Sequence, residues 1–391
     1  MMNVIWNFIQ FFIGYNLVLP LVLYIAYQLF KKKQYIPVPV KAYDYAIIVT
    51  AYEQTDLLPA VVNSLCKLNY SNFIIYIVAD KCDISDLSFS DDRVVLLRPA
   101  QTLASNTRSH LYAIDHFQRH HEIVTIIDSD NMVDPEYLNQ LNIYFDRGYE
   151  AVQGVRKAKL FETNIAAMDA ARDLYYHFFD GEVLFGLGSS ATLAGSGMAF
   201  TTDLYLSCFR DFDMEGAGFD KVLQAKIVLE NKRIAFAKNA IVYDEKTSNT
   251  NQLVNQRSRW INTWFKYLKF GFSILTNGIF KASWNQILFG IILLRPPLFL
   301  FILLSLGCFV VNIFMSSVIS VIWFFAFVAF VIGFYVALQH GKADKKIYSA
   351  LRNIPTFMYF QVVSLFNIRN ANKRSVATKH SVSPIHTSFP K

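Results

Sequence analysis

The chain is short of charge. Only 17% of its 391 residues are Asp, Glu, Lys or Arg, against about 25% in an ordinary soluble domain. With 53% hydrophobic and 16% aromatic residues, it is not a disordered chain, and the shortage of charge argues against a wholly soluble one. Cysteine is scarce as well. Cys66, Cys82, Cys208 and Cys308 are scattered and form no CxxC pair. That excludes a zinc ribbon and a disulfide framework and fits small buried residues in a reduced domain facing the cytosol. Neither GxGxxG nor a Walker sequence occurs, so any phosphate must be held in another way. Internal repeats are lacking, and the apolar stretches carry no charge except Arg295 near an edge. Both absences count against a transporter.

The charge that is present is unevenly placed. The formal net charge is +7; residues 31–41 carry +4 and residues 339–391 carry +8, so the rest sums to −5. A nucleic-acid binder spreads positive charge over a folded face. Here it stands in two blocks beside apolar stretches, which is membrane-flanking charge and implies a bilayer, not nucleic acid, as partner.

Phe8 to Phe30 is a nearly unbroken apolar run of 23 residues, long enough to span a bilayer. The basic cluster follows the run instead of preceding it, and no small-residue cleavage site follows, so this is a retained anchor and not a signal peptide. With positive charge kept inside, the N-terminus points out and Lys31 points in. A second apolar region runs from Ile287 to about Leu338, enough for two helices. Arg295-Pro296-Pro297 interrupts it, because proline cannot continue a helix without losing a hydrogen bond. Spans are expected at about Pro297–Met315 and Val318–Leu338, with Ser316 and Ser317 in the outer turn. Ile354–Ile368 is too short to span comfortably and reads as an interfacial helix, with a further span as the alternative.

Between these anchors lies a domain that alternates strands with helices. Tyr45–Thr50, Phe73–Ala79, Val94–Leu97 and Ile123–Ile127 are short apolar runs of the kind found in buried parallel strands. Asp56–Leu65 and Ser105–Arg119 read as the helices between them. Such alternation implies βαβ units and a mostly parallel sheet, whose ligands bind outside the carboxyl ends of the strands. Asp80, Asp128 and Asp130 all stand at such ends.

Asp128 and Asp130 flank Ser129 after an apolar strand. Carboxylates two apart in an extended segment face the same way and repel unless a cation compensates. Hard oxygen ligands suit Mg²⁺ or Mn²⁺ shared with substrate phosphates. The competing reading is a helix cap, since Asp134-Pro135 announces a helix nearby. Gly195-Ser196-Gly197 is a turn that permits close backbone approach by a ligand, or an ordinary tight turn. Asp220 precedes the amphipathic stretch Lys221–Glu230, as an N-cap or as a general base at the sheet edge. In Gln256-Arg257-Ser258-Arg259-Trp260, Gln256, Arg259 and Trp260 share one helical face. They offer a guanidinium fork for a phosphate beside an indole for a ring; the alternative is an interfacial helix with a belt tryptophan.

An acid after the second strand, a DxD, a glycine turn, a later Asp and QxxRW, in that order, resemble the membrane-embedded family 2 glycosyltransferases with a GT-A fold. That group includes cellulose, chitin and hyaluronan synthases. The resemblance covers about residues 40–380. It implies a GT-A-type α/β domain with one N-terminal and two to three C-terminal membrane helices. Carried over, Asp80 contacts the nucleotide base with Asp83 nearby, Tyr52, Glu53 and Arg108 line the nucleotide pocket, and Asp128 and Asp130 hold Mg²⁺ or Mn²⁺ on the diphosphate. Asp220 is the base that deprotonates the acceptor, Gln256, Arg259 and Trp260 hold diphosphate and acceptor sugar, and Gly195, Ser196 and Gly197 shape the acceptor pocket. The chain departs from the family where Glu53-Gln54 replaces Asn-Glu, Phe219-Asp220 replaces Glu-Asp, and Arg108-Ser109 replaces Lys-Gly. Thr378-Lys379-His380 is similar to a segment that closes over the nucleotide in some members.

The implied activity is inverting, cation-dependent transfer from a nucleotide-diphosphate sugar, with uridine the family expectation, to a glycan or lipid-linked acceptor. Single-sugar transfer to a lipid is the alternative within the class, and a catalytically silent scaffold the alternative outside it. The expected organisation is an anchor over 1–33, a cytoplasmic catalytic domain over 40–270, an interfacial helix over 271–286, two membrane helices over 287–340 and a basic tail over 341–391. The expected location is a plasma membrane, as in the bacterial inner membrane.

Overall fold

A computed structural model describes residues 2–31, 41–159, 163–214, 216–247 and 250–368. Lys32, Lys33 and the Thr378-Lys379-His380 segment lie outside the described residues. The chain opens with helix α1 (Met2–Phe30), then β1 (Tyr45–Tyr52), α2 (Leu58–Cys66), β2 (Phe73–Asp80), β3 (Val94–Leu97), α3 (Asn106–Asp115), β4 (Ile123–Asp128), β5 (Met132–Val133), α4 (Tyr137–Phe145) and β6 (Ala151–Ala158). Helix α5 (Asn164–Tyr176) runs on as a π-helix, His177–Val183, into α6 (Leu184–Gly186). After β7 (Met198–Thr201), α7 (Thr202–Phe209), α8 (Phe219–Leu229) and β8 (Ile234–Asp244), the rest is helical. It comprises α9 (Thr250–Phe280), α10 (Trp284–Leu294), α11 (Leu298–Met315), α12 (Ser317–His340), α13 (Lys345–Ala350) and α14 (Ile354–Phe366).

The eight strands form one sheet in the order β3-β2-β1-β4-β7-β6-β8-β5. Strands β1 to β4 pair in parallel, as their apolar runs require. β1 and β2 are buried almost end to end because helices cover both faces, and each fully buried Ile or Val contributes about 1.5–3 kcal/mol. The sheet is mixed rather than uniform, because β7 lies antiparallel between β4 and β6. Two antiparallel steps restore the direction. β1, β4, β6 and β8 therefore present their carboxyl ends along one edge, with β8 parallel to β6.

Among the described residues, three helices are long and apolar enough to cross a membrane: Val4–Phe30 with mean hydropathy 1.9, and Leu298–Met315 and Ser317–His340 with 2.6 each. Arg295-Pro296-Pro297 ends α10 and starts α11 as expected, and buried Arg295 is neutralised by Asp180 of the π-helix. Ser316 caps α12, its hydroxyl accepting from the Ile319 amide. At 13 residues, α14 is about 20 Å long, too short to span; it packs on α9, where the Ser258 hydroxyl donates to the Ser364 carbonyl at 2.8 Å. The expectation of one interfacial helix over 271–286 is corrected. Residues 271–280 are the last third of α9, and the chain turns at 281–283, where Ser283 caps α10. The turn lets α10 fold back on α9 at close range: a Cβ on Gly278 would stand 2.7 Å from the Ile287 nitrogen.

Candidate functional site

At the shared carboxyl edge opens a cleft of about 280 Å³. Thr50 and Tyr52 from β1 and Asn106 from the start of α3 line one end, and Asp128, Ser129 and Asp130 stand after β4 in the middle. Arg156 of β6, Asp244 and Lys246 of the β8 end, and Gln256 and Trp260 of α9 line the far end. Segments about 200 residues apart in sequence thus meet where open α/β sheets bind ligands.

The first end is ordered by strand-end acids. Both carboxylate oxygens of Asp80 accept backbone amides, from Leu103 at 3.0 Å and Ala104 at 2.8 Å, and the residue is 2% exposed. Asp80, expected to contact a base, is not among the cleft-lining residues. Its carboxylate fastens the loop before α3, Ser105 then caps that helix, and Asn106 is delivered to the cleft. Glu53 turns aside as well. It pairs with Lys81 at 2.7 Å, and both residues hold the left-handed backbone conformation, φ 59° and 56°, a strain of about 1–3 kcal/mol each that collects at functional sites. Arg108 is engaged by Asp213 through two hydrogen bonds, and the exposed Asp83 accepts from its neighbour Ser85. Of the residues expected at the nucleotide end, Tyr52 alone lines the cleft, joined there by Thr50, Gln54, Asp56 and Asn106.

The middle is a crowd of carboxylates. Removal from bulk water, first, and the charges of Asp130, Asp244 and Asp220 push Asp128 well above the usual carboxylate range, against the pull of Arg156. The glycine turn supports this spot from behind. The buried Ser196 hydroxyl accepts from the Asp128 amide at 3.1 Å and from the Asn131 side chain at 2.7 Å. Gly197 has φ 67°, and a Cβ there would stand 2.9 Å from Val242. Gly195, Ser196 and Gly197 therefore shape the DxD turn and do not line the cleft. Asp220 is no N-cap: it lies in the first turn of α8, whose N-cap is Gly218. It pairs with Lys221 at 3.1 Å and is near enough to raise Asp128.

A divalent cation suits this donor set. Among the described residues no group of three or more His, Cys, Asp or Glu is ready to hold a metal by itself. Two crowded carboxylates are the usual protein share of a Mg²⁺ or Mn²⁺ site that substrate phosphates complete.

The far end rests on a buried chain of alternating charge that the sequence reading missed. Arg257 and Arg172 both bond to Asp169, and Arg172 reaches Asp173 at 2.7 Å. Lys246 bonds Asp173 and, at 2.9 Å, Asp244; Asp244 holds Arg156 at 2.6 Å. Trp260 lies within 4.1 Å of the Arg257 guanidinium and 4.3 Å of that of Arg172, measured from its ring centre. Those contacts fix the indole, which stays 39% exposed. Arg259 is half-buried, and burial lowers its pKa; it is not among the cleft-lining residues. Asp244 closes β8 as Asp128 closes β4, but Lys238 and Asn239 interrupt the apolar run that would have signalled it.

The family described as "Glycosyltransferase like family 2" matches residues 42–263. No curated protein matches the chain. Among solved structures, the mannosyltransferase PcManGT from Pyrobaculum calidifontis, in complex with GDP-Man and Mn2+, has a TM-score of 0.54 at 14% identity over 94% of this chain and 97% of its own. TarS of S. aureus has a TM-score of 0.41 at 15% identity over 84% of this chain and 55% of its own. At such identity the likeness to PcManGT is one of fold.

Proposed function

Because the family match spans residues 42–263, the chain belongs to the glycosyltransferase like family 2, and we propose that it transfers a sugar with inversion from a nucleotide-diphosphate donor to an acceptor hydroxyl at a membrane. The observation that carries this is convergence: Tyr52, the Asp128-Ser129-Asp130 turn, Gln256 and Trp260 line one cleft.

The nucleotide lies at the Tyr52 and Asn106 end. Asp128 and Asp130 hold Mg²⁺ or Mn²⁺, which when bound offsets charge on the leaving diphosphate. The acceptor sugar sits against Trp260 and Gln256. Asp220 takes the proton of the acceptor hydroxyl as its oxygen bonds to the anomeric carbon. The bond from that carbon to the diphosphate breaks with its electron pair, and the nucleoside diphosphate departs. Arg259, on the same helix as Trp260, adds positive charge on the diphosphate side. The donor is proposed as a UDP-sugar, with a GDP-sugar, the ligand of PcManGT, as the first alternative. The catalytic domain faces the cytoplasm of a plasma membrane, as in a bacterial inner membrane, held by α1, α11 and α12.

One observation favours single-sugar transfer over chain extrusion. The three long helices close on one another, where Gln10 accepts from Trp323 at 2.9 Å and bonds to Asn312. Radiolabelled sugar incorporation from a panel of nucleotide sugars, with and without Mn²⁺, tests the reading, and product length on the same gel separates its two forms.

A further inference from the structure

One cation at the rim of the cleft stands without a bonded anion. Lys159 follows β6 at the carboxyl edge of the sheet. Its amide donates to the Asp244 carbonyl at 2.8 Å, which carries the β6–β8 ladder one step past the Ala158–Asp244 pair and sets Lys159 beside Glu245. The residue is 6% exposed. Burial lowers the pKa of its ammonium, while the charges of Glu245 and Asp130 pull it up. Both of those acids line the cleft, and Asp130 is the second acid of the DxD.

A buried lysine is almost always paired. The cations around it obey that rule: Arg156 is bonded to Asp244, Lys246 to Asp173 and Asp244, and Lys221 to Asp220 and the Leu193 carbonyl. Among the described residues no hydrogen bond or ion pair engages the Lys159 ammonium. It feels two carboxylates and is bonded to neither. An ammonium is a compact charge with three donors on a flexible four-carbon stem, so it can turn from these neighbours to an anion that enters beside Asp130. The anion suited to that place is a phosphate, because two carboxylates hold a divalent cation only in part and phosphate oxygens complete its shell.

We infer that Lys159 binds the diphosphate of the nucleotide donor. In the empty cleft it offsets Asp130 and Glu245 from a distance; when the donor enters, it hydrogen-bonds a phosphate oxygen. The inference rests on the sugar-transfer reading above and adds to its donor site a residue that the sequence did not single out. Two consequences oppose each other. Loss of this charge weakens diphosphate binding, and it favours Mn²⁺ in the absence of nucleotide, because a cation beside Asp130 has gone.

The experiment uses the full chain in detergent. Titration calorimetry with Mn²⁺ present measures the affinity for UDP and for GDP, and the paramagnetic resonance signal of free Mn²⁺ measures binding of the ion alone. Lys159→Met is expected to weaken nucleotide binding at least about tenfold and to bind Mn²⁺ at least as tightly as the native chain. Lys159→Arg, which keeps the charge, is expected to stay within about threefold of native for the nucleotide. Nucleotide affinity unchanged in Lys159→Met overturns the inference. So does a parallel loss of nucleotide and Mn²⁺ binding in a variant that melts like the native chain, since a merely structural lysine would move both together. Where Lys159→Met melts early, Lys159→Arg decides, and a loss of tenfold or more there overturns the inference. If the native chain binds neither nucleotide, the sugar-transfer reading itself fails first.

Discussion

In the bundle of α1, α11 and α12, the buried polar groups of the described residues are neutral, and Gln10 accepts from both Asn312 and Trp323 where the three helices meet. Around the cleft they are charged and run as a chain from Arg257 through Asp169, Arg172, Asp173, Lys246 and Asp244 to Arg156. The bundle's amides fix which helix faces touch, a task for which neutral hydrogen bonds suffice in a bilayer. The bundle leaves neutral atoms unmatched, Gln10 Nε2, Asn16 Oδ1 and Ser305 Oγ among them, whereas the cleft leaves unmatched atoms on charged groups, Arg156 Nε and Asp244 Oδ1, of residues that line the cavity. The difference marks which region holds the molecule in place and which does chemistry.

Substitutions in the two regions should therefore differ in kind as well as in size. The largest effect is expected from Asp220→Asn: sugar incorporation should fall by at least about a thousandfold while the protein still accumulates in membranes by immunoblot. Activity near the native level would remove Asp220 as the base. Next comes Lys246→Met. It leaves Asp173 and Asp244 buried beside each other without their shared cation, and breaking such a pair costs about 3–5 kcal/mol. A thermal melt in detergent should show it as a fall of several degrees in Tm.

Acid offers a third test. His110 is fully buried at the back of the α/β domain, and burial depresses its pKa from 6.5 to about 3. A group depressed in the fold contributes stability that is complete above its unfolded value and is lost as pH falls. The domain should weaken progressively below about pH 6.5 toward pH 3, by up to a few kcal/mol, and His110→Gln should blunt that dependence in pH-resolved melts. The smallest effect belongs to the bundle. Asn312→Leu removes one interhelical hydrogen bond, worth about 0.6 kcal/mol in membranes, so transfer activity should be retained and Tm should move little. A loss of activity there as large as for Asp220→Asn would erase the distinction between the regions.

The same contrast governs what could be read from the residues alone. Strands buried on both faces announce themselves as apolar runs, so β1 to β4 and the acids that end β2 and β4 were legible, and Val94–Leu97 has the bounds expected of it. The long helices were equally plain, because a bilayer demands length and little charge. β6 was not legible. Gln153, Arg156 and Lys157 interrupt it, and Gln153 is tolerable there because its amide bonds the backbone of Gly154, Ser196 and Ala194. β8 is broken by the exposed Lys238 and Asn239, which hid the strand-end Asp244. Asp80 shows a further limit: its place at a strand end was legible, but its choice of the Leu103 and Ala104 amides depends on where a distant loop folds. The pairing of Asp173 with Lys246, 73 residues apart, has no local signal.

Everything proposed for the cleft depends on the crowded carboxylates at the end of β4 belonging to a sugar-transfer site. The most direct test is incorporation of radiolabelled sugar by membranes containing the full chain, across a panel of nucleotide sugars with Mn²⁺ present, alongside Asp128→Ala. Incorporation from at least one donor is expected of the native chain, and none above background of the variant. Equal incorporation by the two, or none from any donor by the native chain, would contradict it.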